Sequence, residues 1–368
     1  MTTPFELGDE LGPAKILHLA NPAVGLRAIV VVDNIACGPA IGGTRMAPDV
    51  SLEECARLAR AMTYKNAAAG LAHGGAKSVI FADPSMEREQ KETLIRAFAC
   101  SIKDVRGYIP GPDMGTDEMC MAWVHDEIGR SVGLPREIGG IPLDEIGATG
   151  FGIAVAAEVA AEFCDVKLDG ARIAVQGFGA VGQHAARQLA ARGAVLVAAA
   201  DSGNTITNKS GFDIDALIET KRQQERLSAH PGVGVHESAH IVGVDCDILI
   251  PAARPDVLTG KNVDSVKAKL ILQGANIPAT AAAEEALHSR GILSVPDFIA
   301  NAGGVICAAV EFHGGSEAAA FAEIDDKIRR NTREVLERAQ SENEQPRTSA
   351  TMLARERIRT AMSLRRWH

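Results

Sequence analysis

The chain has 368 residues, 46% hydrophobic and only 4% aromatic, with 36 glycines and a formal net charge of −9 at pH 7. That length suits two domains of ordinary size, and the small-residue, weakly aromatic composition suits an α/β protein better than a β-sandwich. The acidic balance argues against a nucleic-acid partner or an anionic membrane surface, since either would need a basic face.

No apolar run approaches the length of a membrane span, and the opening MTTPFELGDELGPAK lacks the charged-then-apolar pattern of a secretory signal. The seven cysteines (37, 55, 100, 120, 164, 246 and 307) are scattered and never spaced as Cys-x-x-Cys. They read as small buried residues in a reducing, cytoplasmic compartment, with no structural zinc.

In chain order, GLRAIVVVDNI from Gly25 reads as a strand buried on both faces, followed by the turn-rich GPAIGGTRMAPDV (38–50). Ser51-Leu-Glu-Glu is a capping box that opens a helix running to about Ala68. The segment from Met62 to Ile80 then sets Lys65 near the end of that helix and Lys77 just after Gly74-Gly75-Ala76. The missing glycine side chains would let a substrate approach the backbone there. Two ammonium groups brought to one small site repel each other, which eases loss of a proton. One lysine would hold a substrate carboxylate while the other does acid/base work. A strand, SVIFADP, and a helix from about Glu87 to Arg106 lead to the loop YIPGPDMGTD (108–117), where Asp113 is either a turn cap or a proton shuttle.

GGIPLDEIGATGFG (139–152) reads as a junction between domains, with the division between residues 145 and 146. After the helix FGIAVAAEVAAEF the pattern becomes strand, Gly-rich turn, helix, strand. ARIAVQ (171–176) leads into Gly177-x-Gly179-x-x-Gly182, and AVLVAAAD ends in Asp201. In that context GxGxxG is a strong dinucleotide signal. The first glycine makes the turn, the second admits the pyrophosphate, the third packs helix on strand, and Asp201 is placed to bond the ribose hydroxyls. Further strands are expected at 246–253, 268–276 and 291–297. The remainder should be helical, with a polar break at SENEQP (341–346) and a basic last helix that is solvated or faces another subunit. His236-Glu-Ser-Ala-His240 matches the zinc-protease spacing, but the chemistry needs both histidines on one face of a helix. The valine-rich surroundings argue against one, so no metal site is assigned.

Taken together, GPAIGGTRM (38–46), MTYKNAAAGLAHGGAK (62–77), GPDMGTD (111–117), ATGFG (148–152), GFGAVG (177–182), DILIPAA (247–253), GAN (274–276) and PDFIANAGGV (296–305) resemble the amino acid dehydrogenase superfamily. Its members are the glutamate, leucine, phenylalanine and valine dehydrogenases, and the resemblance covers nearly the whole chain. It implies NAD(P)-dependent, reversible oxidative deamination of an L-amino acid to a 2-oxo acid and ammonia, by a homo-oligomer (dimer, hexamer or octamer). The expected fold is α/β. An N-terminal substrate-binding and oligomerisation domain (1–145) precedes a Rossmann-type dinucleotide-binding domain (146–339), and a C-terminal helix, about 340–368, packs back on the first.

By motif position the resemblance implies that Lys65 binds the α-carboxylate, Lys77 activates water and Asp113 moves protons to and from the amino group. It places Ile41, Gly42, Gly111, Asn301, Val305 and Ala308 around the substrate. Thr149, Gly177, Gly179, Ala180, Val181, Gly182, Asp201, Ser202, Ala252 and Asn276 fall around the cofactor. In glutamate dehydrogenases a lysine precedes the GGxR motif and a serine follows NAGGV, and both serve the side-chain carboxylate. Here those positions hold Ile41 and Ala308. A second substrate carboxylate against that wall would cost several kcal/mol, so a hydrophobic amino acid is expected, with Gly111 and Ala308 leaving room for it. Glutamate is the alternative, since GPDMGTDEMCMAW and SGNTITNKSGFDIDAL look more like the glutamate enzymes. Asp201 favours NAD, while Ser202-Gly203-Asn204 leaves NADP as the alternative. A catalytically silent regulatory homologue is a competing reading, against which the presence of all three catalytic-type residues argues.

Overall fold

The computed structural model describes residues 4–366. The described chain divides into two compact units: unit 1 holds residues 4–146, 305–323 and 351–366, and unit 2 holds 147–304 and 324–350.

Unit 1 is built on β1 (Lys15–Asn21), β2 (Leu26–Asn34), β3 (Ala40–Ala47), α1 (Leu52–Ala68), β4 (Gly74–Phe81), α2 (Arg88–Ser101), β5 (Tyr108–Pro112) and α3 (Glu118–Ile128). The sheet order is β1-β2-β4-β3-β5. β1 and β2, and β2 and β4, are antiparallel, while β3 runs parallel to both β4 and β5. β2 is buried on both faces, and its alternation divides the core. Ile29 and Val31 meet Cys55 and Ala59 of α1, while Val30 and Val32 join Leu94, Ile95 and Phe98 of α2 and Met121 and Val124 of α3. Helix α1 begins as expected, with Ser51 Oγ accepting the Glu54 N–H at 3.1 Å.

Two expectations change here. The segment 38–50 read as turn because of its glycines, yet it forms β3, the strand between β4 and β5. A Cβ on Gly42 would stand 1.7 Å from the Ala76 carbonyl oxygen, so glycine at this point answers to close approach of the neighbouring strand. Gly74 to Lys77 likewise belong to β4, which begins four residues ahead of the expected strand SVIFADP.

Unit 2 contains α4 (Ala148–Ala161), β6 (Arg172–Gln176), α5 (Ala180–Ala190), β7 (Val195–Ala200), β8 (Asn204–Thr207), α6 (Ile214–Gln224), β9 (Gly234–Glu237), β10 (Ile248–Pro251), β11 (Leu270–Leu272), α7 (Ala281–Ser289), β12 (Leu293–Val295) and α8 (Asp297–Ala300). The order is β12-β11-β10-β6-β7-β8-β9, with the first five strands parallel and β8 and β9 added antiparallel at one edge. The polar segment GNTITN gave no warning of that edge. α4 is apolar nearly all round and correspondingly buried, from Ala148 through Ile153 and Val155 to Ala160.

Three helices follow: α9 (Gly303–Phe312), α10 (Glu317–Glu342) and α11 (Pro346–Ser363). Residues 305–323 fall in unit 1, although the sequence reading placed them with the dinucleotide domain. Glu311 of α9 explains it, accepting the backbone N–H groups of Leu134 at 3.1 Å and Ile141 at 2.8 Å within that unit. The later part of α11 also lies in unit 1. Its arginines are engaged rather than simply solvated: Arg357 donates to the carbonyls of Ala67 and Ala68 at the end of α1, and Arg355 and Arg359 pair with Glu10.

Candidate active site

The register of three parallel strands assembles the reactive groups of unit 1. Thr44 of β3 stands opposite Ser78 on one side and Pro112 on the other. The residues next to these along their strands, Lys77, Gly43, Arg45 and Asp113, therefore point to the opposite face together. Thr44, Ser78 and Tyr108 occupy the other face as a buried hydroxyl cluster, with Ser78 Oγ 3.0 Å from Thr44 Oγ1 and 2.8 Å from Tyr108 Oη.

On the reactive face Lys77 Nζ lies 2.6 Å from Asp113 Oδ2, and Arg45 Nε donates to the same oxygen at 2.9 Å. Arg45 Nη1 reaches Glu54 at 2.5 Å. Lys77 is 5% exposed. Burial by itself would raise the Asp113 carboxyl, but the Lys77 ammonium and the Arg45 guanidinium outweigh it and hold it below the ordinary aspartate value. The Asp113 N–H donates to Thr116 Oγ1 at 3.0 Å, and Thr116 donates to the Thr44 carbonyl at 2.7 Å, so the loop carrying the carboxylate is tied back to β3.

Two participants escaped the sequence reading. Arg45 stood within a quoted motif without a role. A Cβ on Gly43 would lie 2.8 Å from Asp113 Cβ and 3.0 Å from Lys77 Nζ, so that glycine leaves the space in which the pair meets. Lys65 sits half-buried in the last turn of α1. Its neighbour Asn66 fixes that turn, donating to the Gly74 carbonyl at 2.6 Å.

Of the expected substrate-lining residues, Ile41, Gly42, Gly111, Val305 and Ala308 fall in unit 1, and Asn301 falls in unit 2. Ile41 and Ala308 are 3% and 5% exposed. The room expected beside Gly111 is taken: Val132 Cγ2 is 3.1 Å from where its Cβ would be. A cavity of about 510 Å³ adjoins Pro112 and Gly133 and is lined by Asp117, Glu118, Leu143 and Asp144. Burial raises the Glu118 carboxyl there, and Asp144 and Glu145 add to the rise.

In unit 2 the Gly-rich turn runs from β6 into α5. Gly177 has φ +92°, and a Cβ on Gly182 would come 2.1 Å from the Gly177 carbonyl oxygen. Gly179 has open space on its outer side and caps α5 with no side-chain hydrogen bond, leaving the first-turn N–H groups of Ala180, Val181 and Gly182 for an anion. Asn301 donates to the carbonyls of Gly274 and Ala275 and, at 3.1 Å, to Asn276 Oδ1. Its own Oδ1 is buried without a partner. Thr149 lies in the first turn of α4, and Ala252 follows β10, its N–H donating to the Gln176 carbonyl. These features fit a dinucleotide.

Beyond β7 the Asp201 carboxylate accepts the N–H groups of Gly203 and Asn204, each at 2.9 Å, that of Leu227 at 2.8 Å, and Lys221 Nζ at 3.1 Å. Ser202 is exposed beside it. His236 lies in β9, and Ser238–Gly243 is a 3₁₀ turn, so the zinc-protease spacing does not fall on one α-helix. The two rings stack, with centroids 4.2 Å apart.

Comparison with known proteins returns one family. A model for Glutamate/Leucine/Phenylalanine/Valine dehydrogenase matches residues 139–366, and one for the Glu/Leu/Phe/Val dehydrogenase dimerisation domain matches residues 17–130. A glutamate dehydrogenase from Aeropyrum pernix is 38% identical over 357 residues, covering 91% of this chain and 85% of its own length. Among solved structures, a hetero-hexameric glutamate dehydrogenase from Thermus thermophilus in a Leu-bound form superposes with TM-score 0.86 at 29% identity, covering 96% of this chain and 90% of that one. An L-tryptophan dehydrogenase from Nostoc punctiforme gives TM-score 0.76 at 26% identity, covering 96% and 98%.

Proposed function

The chain belongs to the Glu/Leu/Phe/Val dehydrogenase family and is an NAD(P)-dependent amino acid dehydrogenase; within that family we propose that it deaminates an L-amino acid with an apolar side chain. The observation that carries this reading is the pair Ile41 and Ala308, where the resemblance calls for lysine and serine in an enzyme that takes glutamate. The glutamate dehydrogenases among the relatives favour glutamate over an apolar substrate, and that is the second reading.

NAD(P), when bound, supplies the acceptor for the hydride that leaves Cα. The chain's own residues handle the rest. Lys65 holds the α-carboxylate. Hydride departs only from a neutral amine, so Asp113, ionised in its ion pairs, takes the ammonium proton. Lys77, after its ammonium has released its own proton to solvent, accepts a proton from the water that attacks Cα, and its contact with Asp113 lets one proton pass between them. Thr149, Asn276 and Asn301 serve the nicotinamide end. Unit 1 carries substrate binding and self-association, which the dimerisation-domain match supports. The seven cysteines, all free, support a cytoplasmic setting.

Initial rates with leucine, valine, phenylalanine, tryptophan and glutamate at alkaline pH decide the substrate. Higher kcat/KM for an apolar amino acid supports the proposal, and activity confined to glutamate removes it. Ile41→Lys should then move preference towards glutamate by about tenfold or more, as one new charge-assisted contact would. An unchanged ranking would mean that Ile41 does not line the pocket.

A further inference from the structure

We propose that the turn after β7 is a 2′-phosphate subsite that makes this chain prefer NADP, with Arg226 and Ser202 as its specificity-determining residues and Asp201 as the residue that positions them. An acidic residue after the second strand of such a unit selects NAD by accepting the adenosine ribose hydroxyls, whereas a nearby arginine accommodates a 2′-phosphate. Asp201 holds the acidic position, but its carboxylate is turned inward. Its two oxygens accept four donors, from Gly203, Asn204, Leu227 and Lys221, which fills the lone-pair sites a carboxylate offers. The side chain is 6% exposed. A ribose hydroxyl could bond it only by displacing one of those donors.

The same contacts decide what faces outward. The Asp201 N–H donates to the Asn204 carbonyl at 3.0 Å and Ser238 Oγ donates to the Asp201 carbonyl at 2.8 Å, so the turn is rigid and presents Ser202 and Gly203 to solvent. The Leu227 N–H on Asp201 Oδ2 brings the preceding residue, Arg226, to the edge of the turn. Arg226 is exposed and has no hydrogen-bond or ion-pair partner among the described residues. Lys221 neutralises the carboxylate charge that would otherwise repel a phosphate. A hydroxyl and a guanidinium remain on the outside, the chemistry that binds a phosphate dianion.

The inference rests on family membership and not on the choice of amino acid, and its test contains none. The full chain is titrated with 2′,5′-ADP and with 5′-AMP, which differ only in the 2′-phosphate, and binding is followed by calorimetry. The diphosphate should bind at least about tenfold more tightly, as expected for one phosphate gaining an arginine. Arg226→Ala should bring that ratio close to one with the 5′-AMP affinity unchanged, and Ser202→Ala should lower it less. Asp201→Asn, which disturbs the turn, should weaken 2′,5′-ADP more than 5′-AMP. Equal or tighter binding of 5′-AMP by the unaltered chain would overturn the proposal. So would a ratio unmoved by Arg226→Ala, or an Asp201→Asn variant that weakens 5′-AMP selectively.

Discussion

Unit 1 and unit 2 present their functional groups by opposite means. In unit 1 the reactive face is made of charged side chains locked to one another, Lys77 and Arg45 on Asp113, with glycine only clearing the space. In unit 2 the Gly-rich turn is made of main chain, three glycines and the uncapped start of a helix, and the Asp201 carboxylate is spent on holding the next turn in place. The difference predicts different damage. A side chain on a strand can be changed with the strand intact, so unit 1 can lose activity and keep its fold. A glycine demanded by contact cannot be changed without moving backbone, so unit 2 loses binding and stability together.

The largest effect is expected from Asp113→Asn, which keeps the volume and removes the proton acceptor. Turnover should fall by about 10³-fold, within the range of general acid–base catalysis, while the affinity for NADPH, followed by its fluorescence, stays unchanged. Turnover near that of the unaltered enzyme would break the comparison by showing that the paired carboxylate is only a structural ion pair.

Arg347→Met tests the claim for unit 2. Arg347 joins Glu284 at 2.6 Å and Asp297 at 2.9 Å, and those carboxylates are only 7% and 8% exposed. Removing the guanidinium leaves both buried without a counter-charge, at a cost of about 3 kcal/mol in denaturant unfolding. Asp297 Oδ2 also accepts the Ile277 N–H at 2.9 Å, beside Asn276. KM for the dinucleotide should therefore rise more than KM for the amino acid, and an equal rise in both would show that the network only stabilises the fold.

Gly182→Val should cost about 2 kcal/mol of stability, since overpacking against the Gly177 carbonyl has to be relieved by backbone movement. Dinucleotide affinity should fall with it, and normal affinity in calorimetry would mean that the turn has slack.

The smallest effect sharpens the unit 1 side. The Asp113 carboxyl is held below its usual 3.8 in the folded chain. Its ion pairs therefore stabilise the fold fully above that value, and the contribution is lost as pH falls through the folded value. The difference in melting temperature between the unaltered chain and Asp113→Asn should stay constant from about pH 7 to about pH 5 and shrink below about pH 4. A difference that grew on acidification would reverse the sign and remove the ion-pair account.

Features set by neighbours along the chain were legible without coordinates. The Ser51 cap, the apolar run of β2 and the sequence of β6, Gly-rich turn and α5 each depend on groups a few residues apart, so residue type and spacing carry them. The resemblance, read motif by motif, also named Lys77 and Asp113. It could not show that they touch each other, because their contact comes from the order of β4, β3 and β5 in the sheet. Gly42 and Gly43 misled for the same reason. Glycine lowers the strand propensity of a segment, and only the crowding by Ala76, Lys77 and Asp113 shows why nothing larger fits in β3. Asp201 is the sharpest case. Its place at the end of β7 is a matter of sequence, but whether its oxygens face a ribose or the chain's own N–H groups is decided by Lys221 and Leu227, which come from α6 and the segment after it. A hydrogen bond is directional and each lone pair is used once, so that choice is settled only when the fold brings the donors in.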